Sequence, residues 1–132
     1  MNQQTLLLIK PNAVAHQHVG HIISIIEDYG FTIMNIKVFQ FTREKAEFFY
    51  IMHKGKGFYE RLVDFMCSGV TFALLLEKKN AVEELRELIG EVEPEKRKPG
   101  TIRALYADGV TENAVHASDS LANAKREISL IF

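Results

Sequence analysis

The chain is short of the features that mark several protein classes. It has a single cysteine, Cys67, among 132 residues. No intrachain disulfide is available, which excludes a disulfide-stapled scaffold and points to a reducing compartment. Cys67 itself reads as a small buried apolar residue. No apolar run approaches the roughly 20 residues that a membrane-spanning helix needs. Met1 to Lys10 has no basic front and only a short apolar stretch, unlike a secretory leader. The expectation is a soluble, cytoplasmic protein with no membrane partner. An excess of positive charge is missing too: 16 basic and 17 acidic side chains leave a formal net charge of -1. That balance argues against a groove for specific nucleic acid and leaves room for a small basic pocket. Repeats and low-complexity linkers are also absent, and the length fits one domain over 1–132.

What is present suffices for one core, since 47% of the residues are hydrophobic. Thr5 to Ile9 is a continuous apolar run followed by Pro11, which predicts a buried strand. Val19 to Tyr29 carries Val19, Ile22, Ile23 and Ile26 at helical spacing, with Gly30 as the stop. Phe31 to Phe41 reads as a strand with Met34, Ile36 and Val38 on one face. Thr42 is a candidate N-cap for a helix through His53, and Phe58 to Met66 predicts another helix. Val70 to Leu76 suits a central strand, and Ala81 to Ile89 a helix with Val82, Leu85 and Ile89 inward. Glu91 to Ala117 has no sustained periodicity and reads as a long functional loop. Ser118 then caps a helix through Glu127, and Ile128 to Phe132 forms a last strand. This order predicts an α+β plait: a ferredoxin-like, four-stranded antiparallel sheet with helices on one face and the other face free.

His116 is the first chemical candidate. It precedes an expected helix start, where backbone N–H groups favour anions, and a neutral imidazole nitrogen is a competent nucleophile. Lys10 ends the first strand, Arg86 lies off the apolar stripe of its helix, and Arg103 sits in the long loop. Three cations converging on one pocket would match a triphosphate, with the arginines making bidentate contacts. Each taken alone reads more readily as a solvated surface charge.

Taken together, Asn113 to Ser120 resembles the active-site signature of nucleoside diphosphate kinases, Asn-x-x-His-Gly-Ser-Asp-Ser. The resemblance runs along nearly the whole chain, through Ile9-Lys10-Pro11, Phe49-Tyr50, His53-Lys54, Ser68-Gly69, Arg86 to Gly90 and Gly100 to Arg103. It implies transfer of the γ-phosphate of a nucleoside triphosphate to a nucleoside diphosphate, in a ping-pong reaction through a phosphohistidine at His116. Lys10, Arg86 and Arg103 would hold phosphates, and Lys10 and Asn113 would also reach the sugar hydroxyls. Tyr50 would lie beside the histidine, and Phe58 would stack on the base with Val110 opposite and Leu62 nearby. Glu127 and Ser118 would orient the imidazole. Mg²⁺ would arrive on the nucleotide phosphates, with Asp119 in water-mediated contact. The family also implies a homo-oligomer, a tetramer or hexamer built from dimers.

The residues leave bland alternatives beside these roles: Phe58 as core packing, Tyr50 with its hydroxyl satisfied elsewhere, Glu127 as an exposed helix carboxylate. There are also departures from the family pattern. Val92 stands in the nucleotide site where a threonine hydroxyl would contact phosphate, and Ala117 replaces the glycine after the histidine, a strained choice if φ there is positive. These departures motivate a second hypothesis, a catalytically weak nucleotide-binding or regulatory module. His16, His18 and His21 match no standard zinc spacing.

Overall fold

A computed structural model describes residues 1–132. Its first strand, β1 (Asn2–Ile9), explains the unbroken apolar run. Successive side chains of a strand point to opposite faces, so a strand buried on both sides has no polar alternation. Leu7 and Ile9 pack into one core and Leu6 and Leu8 into another. The expected free face is therefore filled. One side carries α1 (Pro11–Ala15), α2 (Val19–Asp28), α5 (Ala81–Ile89) and α6 (Ile102–Tyr106), through Ala13, Ile22, Ile26, Leu85 and Ile102. The other carries α3 (Arg43–Phe49), α4 (Tyr59–Met66) and α7 (Leu121–Ile131), through Ala46, Phe49, Val63, Met66 and Ile131.

The sheet is antiparallel, and its four strands run in the order β2-β3-β1-β4, with β2 at Thr32–Gln40, β3 at Val70–Lys79 and β4 at Val115–Ala117. The ferredoxin-like plan is borne out, but its last strand is displaced. Ile128 to Phe132 is not a strand, because α7 continues to Ile131 with Ala124, Glu127 and Ile131 on its inward face. That helix is capped by Ser120, whose hydroxyl accepts from the Asn123 N–H, and not by Ser118. The fourth strand comes from the segment expected to be loop, which also holds α6 and a 3₁₀ turn at Pro94–Lys96.

Other boundaries follow local chemistry. Pro11 does not merely end β1; its fixed φ suits the first turn of α1. Thr42 caps α3 as expected, accepting from the Lys45 N–H, and a 3₁₀ turn at Ile51–His53 follows that helix. Gly90 ends α5 at φ +87°, and a Cβ there would meet the Thr101 Oγ1 at 2.5 Å, so only glycine fits. Met34, Ile36 and Val38 of β2 are about half exposed on the edge strand; Met34 sits in a register shift between Ile33 and Asn35, and Ile36 and Val38 follow it. Val82 is only partly buried and Cys67 is half-buried.

Candidate active site

The site grows from the end of β1 and the short strand beside it. His116 pairs with Leu8 across the ladder, so its ring faces the layer containing α3 and α7. There it meets Phe49 and Tyr50 edge-on, with ring centroids 5.2 and 5.9 Å away. Glu127 of α7 closes the other side. His116 Nε2 lies 2.9 Å from the Glu127 Oε1, and the Ser118 hydroxyl donates to the same oxygen at 2.7 Å. Burial alone would raise the Glu127 carboxyl. The hydrogen bond and charge of His116 and the Ser118 hydroxyl outweigh it and hold the group below the usual carboxylate range. An ionised Glu127 accepts, so Nε2 carries the proton and the Nδ1 lone pair is unengaged.

Two cations are buried around this ring without a carboxylate partner. Lys10 is 4% exposed and donates to the Asn113 Oδ1 at 2.9 Å. Burial pushes its ammonium down to about 7, assisted by the Arg103 charge and opposed by Glu112. Arg103 is 8% exposed and donates only to the carbonyls of Gly90 and Val115, both at 3.0 Å, while its Nε finds no partner. Burial lowers it to about 10, with Arg86 and Arg97 adding repulsion. Arg86 is more open and donates to the Ala117 carbonyl at 3.3 Å. Uncompensated buried cations are costly in an empty protein and inviting to an anion.

Two adjoining cavities meet at this cluster, one of about 240 Å³ and one of about 410 Å³, sharing Tyr50, His53, Val92, Arg103 and His116. Arg86, Asp119 and Glu127 line the first; Lys10, Phe58, Leu62, Val110 and Asn113 line the second. Every site residue expected from the sequence thus borders one cleft except Ser118, which stands behind Glu127. A larger hollow of about 530 Å³ adjoins the first cavity at Arg86, Val92, Arg103 and Asp119, and its outer wall carries Glu83, Glu87 and Glu91.

The bland alternatives resolve. Phe58 is 46% exposed and is not core. Tyr50 is buried, its hydroxyl has no partner, and burial pushes the phenol well above its ordinary value. Glu127 is 3% exposed. The strain suspected at Ala117 lies elsewhere: Ala117 is ordinary strand, and Ala114 has φ +76°. Ala114 turns the chain there so that its carbonyl accepts from the Lys10 N–H at 2.8 Å.

Sequence reasoning gave no role to His53 or Thr111, which also line the cleft. His53 packs 5.2 Å from Phe58, centroid to centroid, and is held below its usual range by burial and then by Lys56. Its place one helical turn after Tyr50 was the available signal; Thr111 offered none. His16 pairs with Asp108, and His18 stacks on Tyr106, so these histidines serve local packing.

Known proteins similar in sequence and fold belong to one family. The family model described as nucleoside diphosphate kinase matches residues 3–132. A nucleoside diphosphate kinase of Actinobacillus pleuropneumoniae serotype 3 is 51% identical over 132 residues, covering 100% of this chain and 96% of that protein. One from Wolinella succinogenes is 50% identical over 130 residues, covering 98% and 95%. A crystal structure of the Aquifex aeolicus nucleoside diphosphate kinase superposes with a TM-score of 0.96 at 39% identity, over 100% of this chain and 96% of that one.

Proposed function

Because the chain belongs to the nucleoside diphosphate kinase family, we propose that His116 is the group through which the γ-phosphate passes. The protein is a phosphotransferase, and the regulatory alternative is not favoured: its Ala117 motive falls with the unstrained strand there. The observation that carries the assignment of His116 is an imidazole with Nε2 tied to Glu127 and Nδ1 open beside two buried, unneutralised cations.

In the first half-reaction Nδ1 attacks the γ-phosphorus of a nucleoside triphosphate. An N–P bond forms, the bond to the β-γ bridging oxygen breaks, and the nucleoside diphosphate leaves with that electron pair. A second nucleoside diphosphate then takes the phosphoryl group back by the reverse displacement, giving ping-pong kinetics. Lys10, Arg86 and Arg103 neutralise phosphate charge, most strongly where burial thins the solvent. Tyr50 offers its unpartnered hydroxyl to the phosphoryl group. Lys10 and Asn113 reach the sugar, and Phe58 and Val110 hold the base between apolar surfaces with little base preference.

Kinases of this kind work with a divalent cation, and we assign Mg²⁺. No three His, Cys, Asp or Glu side chains converge here. Of the two carboxylates lining this cavity, Glu127 is engaged by His116 and Ser118, which leaves Asp119 near Arg86 and fits an ion held mainly by phosphates and water. Bound so, it would offset charge on the β- and γ-oxygens. No helix is long and apolar enough to cross a membrane. We assign the work to the cytoplasm, to residues 1–132 acting as one domain, and to a homo-oligomer built from dimers; the outward apolar face of β2 supports self-association.

The test is to incubate the protein with γ-labelled ATP and Mg²⁺. The expected product is an acid-labile, base-stable label on the protein that GDP or CDP removes. An unlabelled wild type, or equal labelling of His116→Ala, overturns the mechanism.

A further inference from the structure

Arg97 lies outside both cavities of the cleft, yet it joins their walls. Its Nε donates to the Glu91 carbonyl at 3.1 Å, and one terminal nitrogen donates to the carbonyls of Val92 at 2.7 Å and Gly109 at 2.9 Å. No carboxylate pairs with it. The three carbonyls belong to two segments on different lips of the cleft. Glu91 and Val92 follow α5, and the Val92 side chain faces both cavities. Gly109 opens the turn that presents Val110 and Thr111 to the larger cavity. Arg103 ties the bases of the two segments at Gly90 and Val115, and no other hydrogen bond joins Glu91 or Val92 to the turn itself.

The turn is otherwise fastened from behind. The Glu112 carbonyl accepts from the N–H groups of Asp108 and Gly109 and from the Asn12 Nδ2, at 2.7, 3.1 and 3.0 Å. Arg61 of α4 pairs with the Glu112 carboxylate at 3.0 Å. These contacts hold the turn to α1 and α4 and leave the Val92 lip alone. The tie between the lips is what Arg97 adds. The bridging nitrogen is held in place by the rest of the planar guanidinium, whose Nε is fixed on the Glu91 carbonyl; an ammonium has donors enough for both lips but lacks that second anchor.

We infer that Arg97 is a positioning residue that straps the Val92 lip to the Val110 turn and fixes the width of the nucleotide cleft. The inference rests on the kinase reading above. It concerns nucleotide engagement and not the reactivity of His116, because Arg97 touches neither the imidazole nor Glu127. Its carbonyl partners lie near the surface and can regain water when it is removed.

The experiment compares wild type with Arg97→Ala and Arg97→Lys, each checked by thermal melting. Steady-state kinetics are read with nucleoside di- and triphosphates. His116 is phosphorylated separately with phosphoramidate, a phosphoryl donor that carries no base or sugar. Expected for Arg97→Ala is a rise in KM of about tenfold for both nucleotides, with kcat held within about threefold. Arg97→Lys gives a smaller rise, and phosphoramidate labels all three proteins at the same rate. Unchanged KM values in both variants, or a loss of phosphoramidate labelling in Arg97→Lys, overturn the strap. If wild type takes label from phosphoramidate and none from ATP, the kinase reading fails and not the strap alone. If Arg97→Ala melts below the assay temperature, Arg97→Lys decides, and wild-type kinetics there also overturn the proposal.

Discussion

Replacing Lys10 with methionine separates what its charge costs the fold from what it does for phosphate. The side chain is 4% exposed, and burial brings its ammonium down from 10.5 to about 7. Unfolded, the lysine keeps its proton through the ordinary lysine range; folded, it releases it near 7. Between those values the unfolded chain binds more protons, so stability rises with pH across that window. Below about 7 both states are charged and the whole penalty is present, on the order of 5 kcal/mol from the size of the shift. An apolar side chain of similar volume escapes it. Lys10→Met is therefore expected to melt several degrees higher than wild type at pH 6, to lose most of that advantage by pH 9, and to transfer phosphate poorly at either. Nucleotide phosphates reverse the shift by supplying the missing countercharge. Binding near neutral pH then draws in a fraction of a proton per site, since the free lysine is already partly deprotonated there. Calorimetric titrations in two buffers of different ionisation enthalpy measure that uptake. A wild type that binds nucleotide with no proton uptake, together with a Lys10→Met variant whose melting curve tracks it at every pH, refutes the account.

Glu127→Ala leaves the His116 Nε2–H and the Ser118 hydroxyl without their shared acceptor; a charge-assisted hydrogen bond is worth about 1.5–3 kcal/mol, so kcat should fall about 10- to 150-fold. Because the Glu127 carboxyl is held below its usual range, its contribution to stability is present above the ordinary carboxylate pKa. It is lost on acidification through the folded value, and wild type and variant should converge in acid melts. Val92→Thr restores a hydroxyl at a half-buried position facing both cavities, and kcat/KM should rise about 5- to 30-fold; no change places the 92 side chain away from phosphate. Ala114→Gly removes the φ +76° penalty two residues before His116 and should stabilise the fold by about 1 kcal/mol, read as a higher Tm; a lower one means the Ala114 methyl packs better than its backbone is strained.

Legibility followed the strength of the local signal. The apolar run at Thr5–Ile9 and the helical spacing through Ala81–Ile89 are dictated by side chains over five or more residues, and both elements formed where expected. Strand β4 has three residues and exists because Val115–Ala117 falls into register with Leu7–Ile9, a long-range pairing with no periodicity of its own. Ile128 to Phe132 misled for the opposite reason. Its apolar residues suit a strand, but the Ser120 cap starts a helix whose inward stripe at Ala124 and Glu127 carries through to Ile131. In the site, residue types and spacing pointed to Lys10, Arg86, Arg103 and His116. The absence of any carboxylate beside the buried cations, and the reach of Arg97 across two loops, depend on packing that no short motif encodes.

The two ends of the cleft rest on different physics, and that difference decides what each can do. At the reacting end, His116 and Lys10 are each fixed twice. His116 is held by its ladder to Leu8 and by Glu127, and Lys10 by the main chain of Ala114 and the side chain of Asn113. Such groups lose little order when phosphate arrives, so their charge acts at full strength on the transferring group. At the end we assign to the base, Phe58 and Val110 are about half exposed, and the turn carrying Val110 depends on side-chain ties from Asn12, Arg61 and Arg97. Contacts of that kind grip any flat ring and discriminate weakly among bases. On the proposed assignment of these ends, a fold that anchors the phosphate rigidly and the base loosely would accept many nucleosides while performing one reaction on all of them.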